Sequence, residues 1–398
     1  MDDPPHSETT ELQTVVAELL RERGNRADDE WLRKQLAKLD EKRRARLSVV
    51  VDEDGRVDVD PTSTTADSVS NAAGDEEWDP EFEGWAGRSK PEQSEADGGF
   101  LRRFSWTFRG REETWEMDVP GPLFKYYTER HRTRRFGAYI ADPFDEPFVA
   151  GLADRIRRFA DRRGLSRRDR VNAAVRFVQS LEYTPDDVTT GQVEYPKYPI
   201  ETLVHEGGDC EDTSLLLGAL LRELGCEVAP VVLPNHHHML LGVAPDFDVD
   251  GAYYGYEDTA YYTLEATGHG WNIGDLPRQY RNASAEVHPI DETPVLVHEW
   301  HARPQRSGDV DLSVHVANFG DAPAESLSVG LQFRDEQDRV CGRKQVVRDG
   351  TVQPSRSEQY TATIGLPADR TIRGECVLGE SGRVHDESTS AWHGPGKK

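Results

Sequence analysis

The first regular hydrophobic pattern lies near the amino terminus. Apolar residues recur there at the spacing of a helix face, at Leu12, Val15, Val16 and Leu19 and then at Leu32, Leu36 and Leu39. Gly24 falls between the two stretches, where a helix would end. The pattern predicts a helical arm over residues 1–47. This arm is either a weakly stable appendage or a module for docking and self-association.

After position 100 the pattern changes to strict alternation. Apolar residues take every second position on both sides of the turn Arg109-Gly110-Arg111, at Phe104, Trp106, Phe108, Trp115, Met117 and Val119. This pattern predicts a β-hairpin. Helical spacing follows over 147–163, and a second helix begins at Ser166, whose hydroxyl is expected to cap the helix near Asp169.

An apolar helix and several strands make up the middle of the chain. Residues 210–224 have leucines on nearly one whole side and end at Gly225. Strand patterns follow at 228–233, 238–243 and 261–265. Helices followed by antiparallel strands predict an α+β domain over residues 100–290, in which helices pack on an antiparallel sheet.

The regions on either side of this domain have other patterns. Residues 48–99 hold 15 Asp and Glu against three basic residues, which predicts an acidic disordered linker. Its aromatic segment WDPEFEGW is either a docking motif or a segment that folds back onto the next domain. Residues 291–398 show short alternating strands without helical periodicity, which predicts a β-sandwich for structural support or partner contact.

Charge narrows the possible partners. The chain of 398 residues has a formal net charge of −25, which disfavours binding to nucleic acid or to anionic membranes. No apolar run reaches the roughly 18–20 residues of a membrane span, and the first residues lack the pattern of a signal peptide. We expect a cytoplasmic protein. Abundant acids with more Arg than Lys suit a salt-loving archaeal cytoplasm, and an acidic mesophilic protein is the alternative.

The number and spacing of the cysteines indicate whether the chain could bind zinc or form disulfides. There are four, Cys210, Cys226, Cys341 and Cys376, and their wide spacing gives neither a CxxC zinc pattern nor a dense disulfide framework. Cys341 and Cys376 would pair only in an oxidising compartment. Cys226 follows Gly225 and precedes a strand, which is typical of a buried structural cysteine.

Cys210 has the surroundings that a nucleophile needs. It follows Gly207-Gly208-Asp209 and begins the apolar helix. Free N–H groups and the dipole at a helix start lower a thiol pKa, and the same N–H groups can hold an oxyanion. Nearby Asp209, Glu211 and Asp212 act in the opposite direction, because carboxylates disfavour a thiolate. A buried cysteine in an ordinary turn is the other interpretation.

A base and an acid follow in order along the chain. His236, His237 and His238 cannot all face one site on a strand, and His238 is nearest the apolar strand. Glu265 ends a later strand and is the first choice for orienting the imidazole, and Asp258 is a weaker one. A metal site built on the three histidines with Asp209 or Cys210 is also conceivable, but no HxxxH or CxxC spacing supports it.

These segments resemble a known family. YPIETLVHEGGDCEDTSLLLGALLRELG, HHHMLLGV and YYTLEATGHGWNIGDLP, with the upstream FSWTFRGREETWEMDVP and FVQSLEY, are similar to the transglutaminase-like domain of the papain-like cysteine superfamily, in its archaeal and bacterial form. The resemblance covers about residues 100–290. It implies a papain-like core with Cys210 as nucleophile, His238 as base and Glu265 as acid, although many members have Asp at the third position.

The resemblance also implies a reaction. A thiolate would attack an amide of a protein or peptide, and water or an amine would resolve the thioester, as in a protease, amidase or transglutaminase. The backbone N–H of Cys210 and one upstream side chain, Gln179 or Tyr183, would bind the oxyanion. The family chemistry uses no cofactor and no metal. The alternative is an inactive binding or scaffold module, with a protein partner on the N-terminal arm.

Overall fold

A computed structural model describes residues 48–51, 57–60, 85–88, 98–186, 195–305 and 307–394. The chain divides into two units, Met1–Glu77 and Trp78–Lys398. In the first unit, β1 (Ser48–Val51) pairs antiparallel with β2 (Val57–Asp60). The helical arm expected over 1–47 lies outside the described residues. Within the described parts of the chain, no helix has the length and apolar character that a membrane crossing requires.

The second unit contains helices and many strands. Its helices are α1 (Gly121–Glu129), α2 (Gly137–Ile140), α3 (Glu146–Asp161), α4 (Arg167–Val178), α5 (Pro199–His205) and α6 (Cys210–Glu223). Its first strands are β3 (Trp85–Arg88), β4 (Gly99–Phe108), β5 (Arg111–Pro120), β6 (Glu182–Tyr183), β7 (Gly207–Gly208), β8 (Glu227–Leu233), β9 (His238–Ala244), β10 (Tyr253–Tyr256), β11 (Thr259–Leu264) and β12 (Glu286–Val287). The remaining strands are β13 (Leu296–Pro304), β14 (Asp309–Asn318), β15 (Ala324–Asp335), β16 (Val340–Val352), β17 (Arg356–Gly365), β18 (Ile372–Glu380) and β19 (Arg383–Thr389).

The α+β arrangement predicted from the sequence is confirmed. A five-stranded sheet with the order β10-β11-β9-β8-β12 is antiparallel throughout. Helix α6 packs on β8 and β9 and also contacts α3 and α4. Its leucines are fully buried, because nearly every side of this helix faces another element. The first residue of α6 is therefore held in a rigid core.

The predicted hairpin and helix cap are also present. Strands β4 and β5 pair in register from Gly99 to Phe108, and the aromatic residues of the alternating pattern are buried. Arg109 and Gly110 both have positive φ, 50° and 73°, as a tight hairpin turn requires. At the start of α4, the Asp169 N–H donates to the Ser166 hydroxyl at 3.1 Å.

The C-terminal strands form two four-stranded antiparallel sheets. Their orders are β17-β14-β13-β3 and β16-β15-β18-β19. Alternate residues of both sheets meet in one core around Trp300 and Phe333, which is the packing of a β-sandwich. This agrees with the sandwich expected for this part of the chain.

Strand β3 differs from the linker expectation and is nearer the fold-back alternative for WDPEFEGW. The last residue of that segment, Trp85, packs on the sandwich, however, and not on the domain that follows. Trp85–Arg88 lies within the stretch expected to be a disordered linker, yet it pairs with β13 as an edge strand. The Trp85 indole is buried against Phe333 and donates to the Ile372 carbonyl at 2.9 Å. Gly87 is required for the close approach, because a Cβ there would lie 2.4 Å from Trp300 Nε1. One tryptophan pocket thus fixes this short segment, whose acidic surroundings predict disorder.

A buried ionic network joins the helical region to the sandwich. The Arg130 guanidinium, after α1, pairs with Asp142 and lies 3.9 Å from Asp386 of β19. His298 Nδ1 of β13 lies 3.6 Å from the same Asp386 carboxylate. All four side chains are buried. Paired buried charges of this kind lock the relative position of the elements that carry them.

Candidate functional site

At the start of α6, the side chains of Asp209 and Asp212 each accept hydrogen bonds from backbone N–H groups of the first turn. The Asp209 carboxylate accepts hydrogen bonds from the N–H groups of Glu211 and Asp212, at 3.2 and 3.4 Å. In return, Asp212 Oδ2 accepts from the Asp209 N–H at 3.2 Å. This is a capping box, with acids at both positions. It fixes Cys210 as the first residue of the helix.

A buried lysine ties this helix start to the preceding loop. Lys197 Nζ bonds to Asp186 at 3.0 Å and to Asp212, and the Lys197 N–H donates to Asp212 at 2.7 Å. The Lys197 side chain is fully buried. Gly208 packs closely on this cluster, since a Cβ there would lie 2.5 Å from the Asp212 Cβ. The GGD sequence before Cys210 therefore serves close packing around a buried ion cluster.

The Cys210 thiol is nearly buried beside the first strand residues of β9. Its residue is 8% exposed, and Sγ donates to Glu211 Oε2 at 3.3 Å. The backbone N–H of Met239 faces the sulfur from β9. One turn further along α6, the Ser214 hydroxyl donates to the Met239 carbonyl at 3.3 Å. Helix α6 and strand β9 are thus joined directly at the thiol.

The electrostatics of the thiol oppose its ionisation. Burial raises the pKa of Cys210 well above the ordinary thiol value, and the Glu211 and Asp209 carboxylates raise it further. The Met239 N–H acts in the other direction but is outweighed. The effect of the helix start, which would favour a thiolate, is therefore outweighed by burial of the thiol and by the acids around it. In the resting structure Cys210 is a neutral thiol.

His238 and Glu265 form a buried pair. His238 Nε2 and Glu265 Oε2 are 2.9 Å apart, and their side chains are 9% and 4% exposed. The imidazole stacks on Tyr280 with ring centroids 4.5 Å apart and an interplanar angle of 17°. With Nε2 engaged, Nδ1 is the ring nitrogen left for proton transfer. Among the contacts of the described residues, none joins Cys210 Sγ to this imidazole.

Hydrogen bonds hold both the side-chain carboxylate and the backbone carbonyl of Glu265. Its Oε1 accepts hydrogen bonds from the Thr267 hydroxyl and from the Thr267 N–H, the latter at 2.9 Å. Its backbone carbonyl accepts from Gln179 Nε2 at 2.8 Å. Burial alone would raise the pKa of Glu265, but the bonds to His238 and Thr267 hold it below the ordinary value. The acid is ionised and oriented toward the imidazole.

Gln179 has a different position from the one expected. Its amide donates to the carbonyls of Glu265 and Trp271, at 2.8 and 3.2 Å, and its Oε1 accepts from the Gly270 N–H. Both N–H bonds are therefore used within the protein, and none is left for an oxyanion. The geometry makes Gln179 a residue that positions Glu265.

Tyr183 lies at the exposed side of the thiol. It is 57% exposed and belongs to β6, which pairs parallel with β7 immediately before Cys210. Burial raises its pKa, and the nearby acidic groups, Cys210 and Asp209 among them, raise it further, so the phenol keeps its proton. An exposed O–H donor next to the nucleophile position can still serve an oxyanion.

The other two histidines point elsewhere. His236 and His237 are exposed, and His237 has a left-handed φ of 47° in the turn that leads into β9. His236 contacts Tyr280 from the other direction. Only His238 is fixed by a carboxylate. The three consecutive histidines therefore do not form one cluster of ligands.

Two groups of donor atoms lie close enough to share a cation. They are Asp209, Cys210 and Glu211, and Asp186, Asp209 and Asp212. In the second group the Lys197 ammonium already contacts two of the carboxylates, those of Asp186 and Asp212. In the first group, the Cys210 thiol donates a hydrogen bond to the Glu211 carboxylate. Protein hydrogen bonds account for both groups, and we assign neither as a metal site.

Several contacts of the site were not predicted from the sequence. Asp212 was considered only as an acid near Cys210, but its capping role has a sequence signal, because acids three residues apart at the start of an apolar helix can form a capping box. Lys197, Thr267 and Tyr280 carry no such signal, since each reaches the site from a separate loop. The direction of the Glu211 carboxylate, toward the thiol, is also a matter of side-chain geometry alone.

Comparison with known proteins finds no matching family model and no matching curated protein. Among solved structures, a red sea bream transglutaminase is 11% identical, with 75% of this chain and 62% of that chain covered, at a TM-score of 0.22. An ApaA-like protein of Bordetella pertussis is 19% identical over 27% of this chain and 96% of its own, at a TM-score of 0.20. A β-glucuronidase of glycoside hydrolase family 2 is 11% identical, with 44% of this chain and 23% of that chain covered, at a TM-score of 0.19. Similarities at this level assign neither fold nor family.

Proposed function

We propose that residues 100–290 form a transglutaminase-like domain of the papain-like superfamily that transfers acyl groups from amides through Cys210. The observation that carries the proposal is the contact between His238 Nε2 and Glu265 Oε2, which are 2.9 Å apart. His238 begins β9, and the N–H of the next residue on that strand, Met239, faces the Cys210 sulfur. A nucleophile at a helix start, a base on the adjoining strand and an ionised acid behind the base are the three parts of a catalytic triad.

The reaction follows from these positions. The Cys210 proton passes to His238 Nδ1 while Sγ forms a bond to the amide carbonyl carbon. The C–N bond then breaks, and the amine leaves with the proton returned by the imidazolium. Water or an amine attacks the thioester, gives its proton to His238 and releases Cys210 as a thiol. The product is an acid in the first case and a new amide in the second.

The oxyanion is stabilised at the helix start. The Cys210 N–H lies in the first turn of α6, where backbone donors have no partner within the helix. Tyr183 supplies the second donor, because its O–H is protonated and exposed on the adjacent strand. Gln179 is omitted from this role, because its N–H bonds are already used.

The thiol is deprotonated during attack and not before. Its raised pKa argues against a stable thiolate–imidazolium pair in the resting site. A general-base mechanism, in which the proton moves as the S–C bond forms, fits this state. The account therefore predicts low thiol reactivity toward simple alkylating agents together with turnover of a bound substrate.

The experiment is a screen of a peptide library with and without a primary amine acceptor. High salt is used throughout because the formal net charge of −25 suits a salt-rich cytoplasm. We expect hydrolysis or amine incorporation by the wild type and by Cys226→Ser, and loss of both with Cys210→Ser. Turnover that survives in folded Cys210→Ser would rule out the nucleophile. The acceptor dependence distinguishes an amidase from a crosslinking enzyme.

A second candidate is a binding module without turnover. The Glu211 carboxylate favours it, because it holds the nucleophile position as a neutral thiol. In that case folded wild type would cleave no peptide in the library but would retain some of them with an affinity unchanged by Cys210→Ser. A protein partner on the N-terminal arm belongs to the same proposal.

A further inference from the structure

Glu211 contacts the thiol in a way that helix capping does not require. The capping bonds at the start of α6 come from Asp209 and Asp212, and the Glu211 N–H is already bonded to Asp209 at 3.2 Å. The Glu211 side chain takes no part in these capping bonds, and its Oε2 lies 3.3 Å from Cys210 Sγ. A carboxylate at this position therefore acts on the sulfur itself.

Two proton acceptors compete for one thiol. One is Glu211 Oε2, which the S–H contacts in this structure, and the other is His238 Nδ1, the base in the proposed mechanism. The remaining titratable groups around the sulfur are Asp209 on the cap of α6, Tyr183 on β6 and Tyr280 beside the imidazole. Only Glu211 accepts a hydrogen bond from Cys210 among the described residues.

We propose that Glu211 is a positioning residue that keeps Cys210 in a protonated resting state, turned away from His238, until substrate is bound. The role of Glu211 in catalysis rests on the proposed function. The interaction itself, in which a carboxylate holds a neutral thiol, can be present whether or not the protein is an enzyme. In the resting state the S–H bond stays intact. When Sγ rotates to His238 Nδ1, the same proton moves to the imidazole as the S–C bond forms.

The consequence is suppression of unwanted thiol chemistry. A carboxylate accepts a hydrogen bond from a thiol and repels a thiolate at the same distance. Alkylation and oxidation proceed through the thiolate, so the resting site is protected from both. Replacement of the carboxylate by the amide of the same shape keeps a hydrogen-bond acceptor and removes the charge. Glu211→Gln thus isolates the charge from the packing.

The test measures the rate of iodoacetamide labelling at Cys210 from pH 5 to 11, by mass spectrometry of the peptide that contains it. In Glu211→Gln we expect the midpoint to fall by about one to two pH units, which is about a 10- to 100-fold faster rate near neutral pH. The matched control is Glu206→Gln, an exposed acid four residues before Cys210, which should leave the midpoint unchanged.

A second substitution tests the rotation. His238→Asn should change the labelling midpoint little in the wild-type background, because the thiol is held by Glu211. The same substitution in Glu211→Gln should raise the midpoint clearly, because the thiol then turns to His238. Glu211→Ala replaces Glu211→Gln if the amide variant does not fold, as judged by circular dichroism.

The outcomes separate the two proposals. An unchanged or higher midpoint in folded Glu211→Gln or Glu211→Ala overturns the role of Glu211, whatever the turnover. A lowered midpoint together with no turnover in any peptide screen supports Glu211 and rejects the acyl-transfer function. If Glu211→Gln lowers the midpoint but His238→Asn changes the midpoint equally in wild type and in Glu211→Gln, the proposed rotation of the thiol toward His238 is overturned.

Discussion

His238 depends on Glu265 for its orientation. The Glu265 carboxylate engages Nε2 of the imidazole at 2.9 Å, which leaves Nδ1 as the other ring nitrogen available for a contact. The second carboxylate oxygen is bound by Thr267, which leaves the acid little freedom to rotate. At the residue scale the site therefore has one acid with a defined function.

Replacement of Glu265 by Gln should lower kcat of the acyl-transfer reaction by about 10²- to 10⁴-fold. The amide can donate to Nε2 and so favours the wrong imidazole tautomer, while the packing changes little. The measurement is kcat with the best peptide from the screen. Glu257→Gln, in the exposed turn before β11, is the control. Activity within about threefold of wild type would remove Glu265 from the triad.

The sequence proposes candidate residues, of which the structure brings His238 and Glu265 into contact, but it could not predict most of their other contacts. Cys210, His238 and Glu265 could be chosen because a helix start, a strand start and a strand end are visible in the pattern. The hydrogen bonds of Gln179 could not, because its amide reaches Glu265 and Trp271 across more than 80 positions of the chain. The stacking of Tyr280 on His238 likewise depends on a loop without a regular pattern.

Helix α6 is the element that carries the site, and its first turn is anchored by Lys197. The ammonium is fully buried between Asp186 and Asp212, and Asp212 in turn accepts from the Asp209 N–H. Loss of the cation would leave carboxylates buried without a counter-charge. Both the fold and the position of Cys210 depend on this cluster.

Lys197→Met should reduce the free energy of unfolding by about 3–5 kcal/mol, because an uncompensated charge remains in the interior. Urea unfolding followed by circular dichroism measures the change. Lys125→Met is the matched control, since Lys125 on α1 is exposed and should change stability by less than about 0.5 kcal/mol. A loss no larger than that of the control would show that the cluster does not hold the helix start.

Element prediction succeeded where the pattern was long. Helix α6 and the alternating strands β4 and β5 each have ten or more residues, and in the two strands the burial follows the local period, whereas α6 is buried on nearly every side. Strand β3 has four residues, and its pairing depends on a tryptophan pocket formed by strands more than 200 positions away. The aromatic segment WDPEFEGW, which ends at Trp85, allowed a fold-back, but no local pattern could reveal the partner strand, and the acidic composition around it indicated disorder.

At the scale of the whole second unit, His298 is charged within the interface that joins the helical region to the sandwich. Burial lowers its pKa, but Cys376 and Asp386 more than compensate and raise it to about 10. The unfolded value is about 6.5. A pKa raised by folding gives stability that is fully present below about pH 6.5 and is lost as the pH rises toward 10.

Wild type and His298→Gln should therefore differ most in unfolding free energy at or below about pH 6.5, and the difference should shrink between about pH 7 and 10. Chemical unfolding at a series of pH values gives both curves. His315→Gln, on the neighbouring strand β14 and opposite Glu299 of β13, controls for the loss of an imidazole. Parallel curves across this range would mean that His298 is neutral in the folded protein.

The central claim is that Cys210 forms a thioester with the help of His238. It is tested most directly by rapid acid quench after mixing with an activated acyl ester, followed by peptide mass spectrometry. We predict one acyl group on Cys210, none on Cys226, removal by hydroxylamine, and formation slowed by about 10²-fold or more in His238→Asn. No acyl group on Cys210, or equal rates with and without His238, would contradict the account.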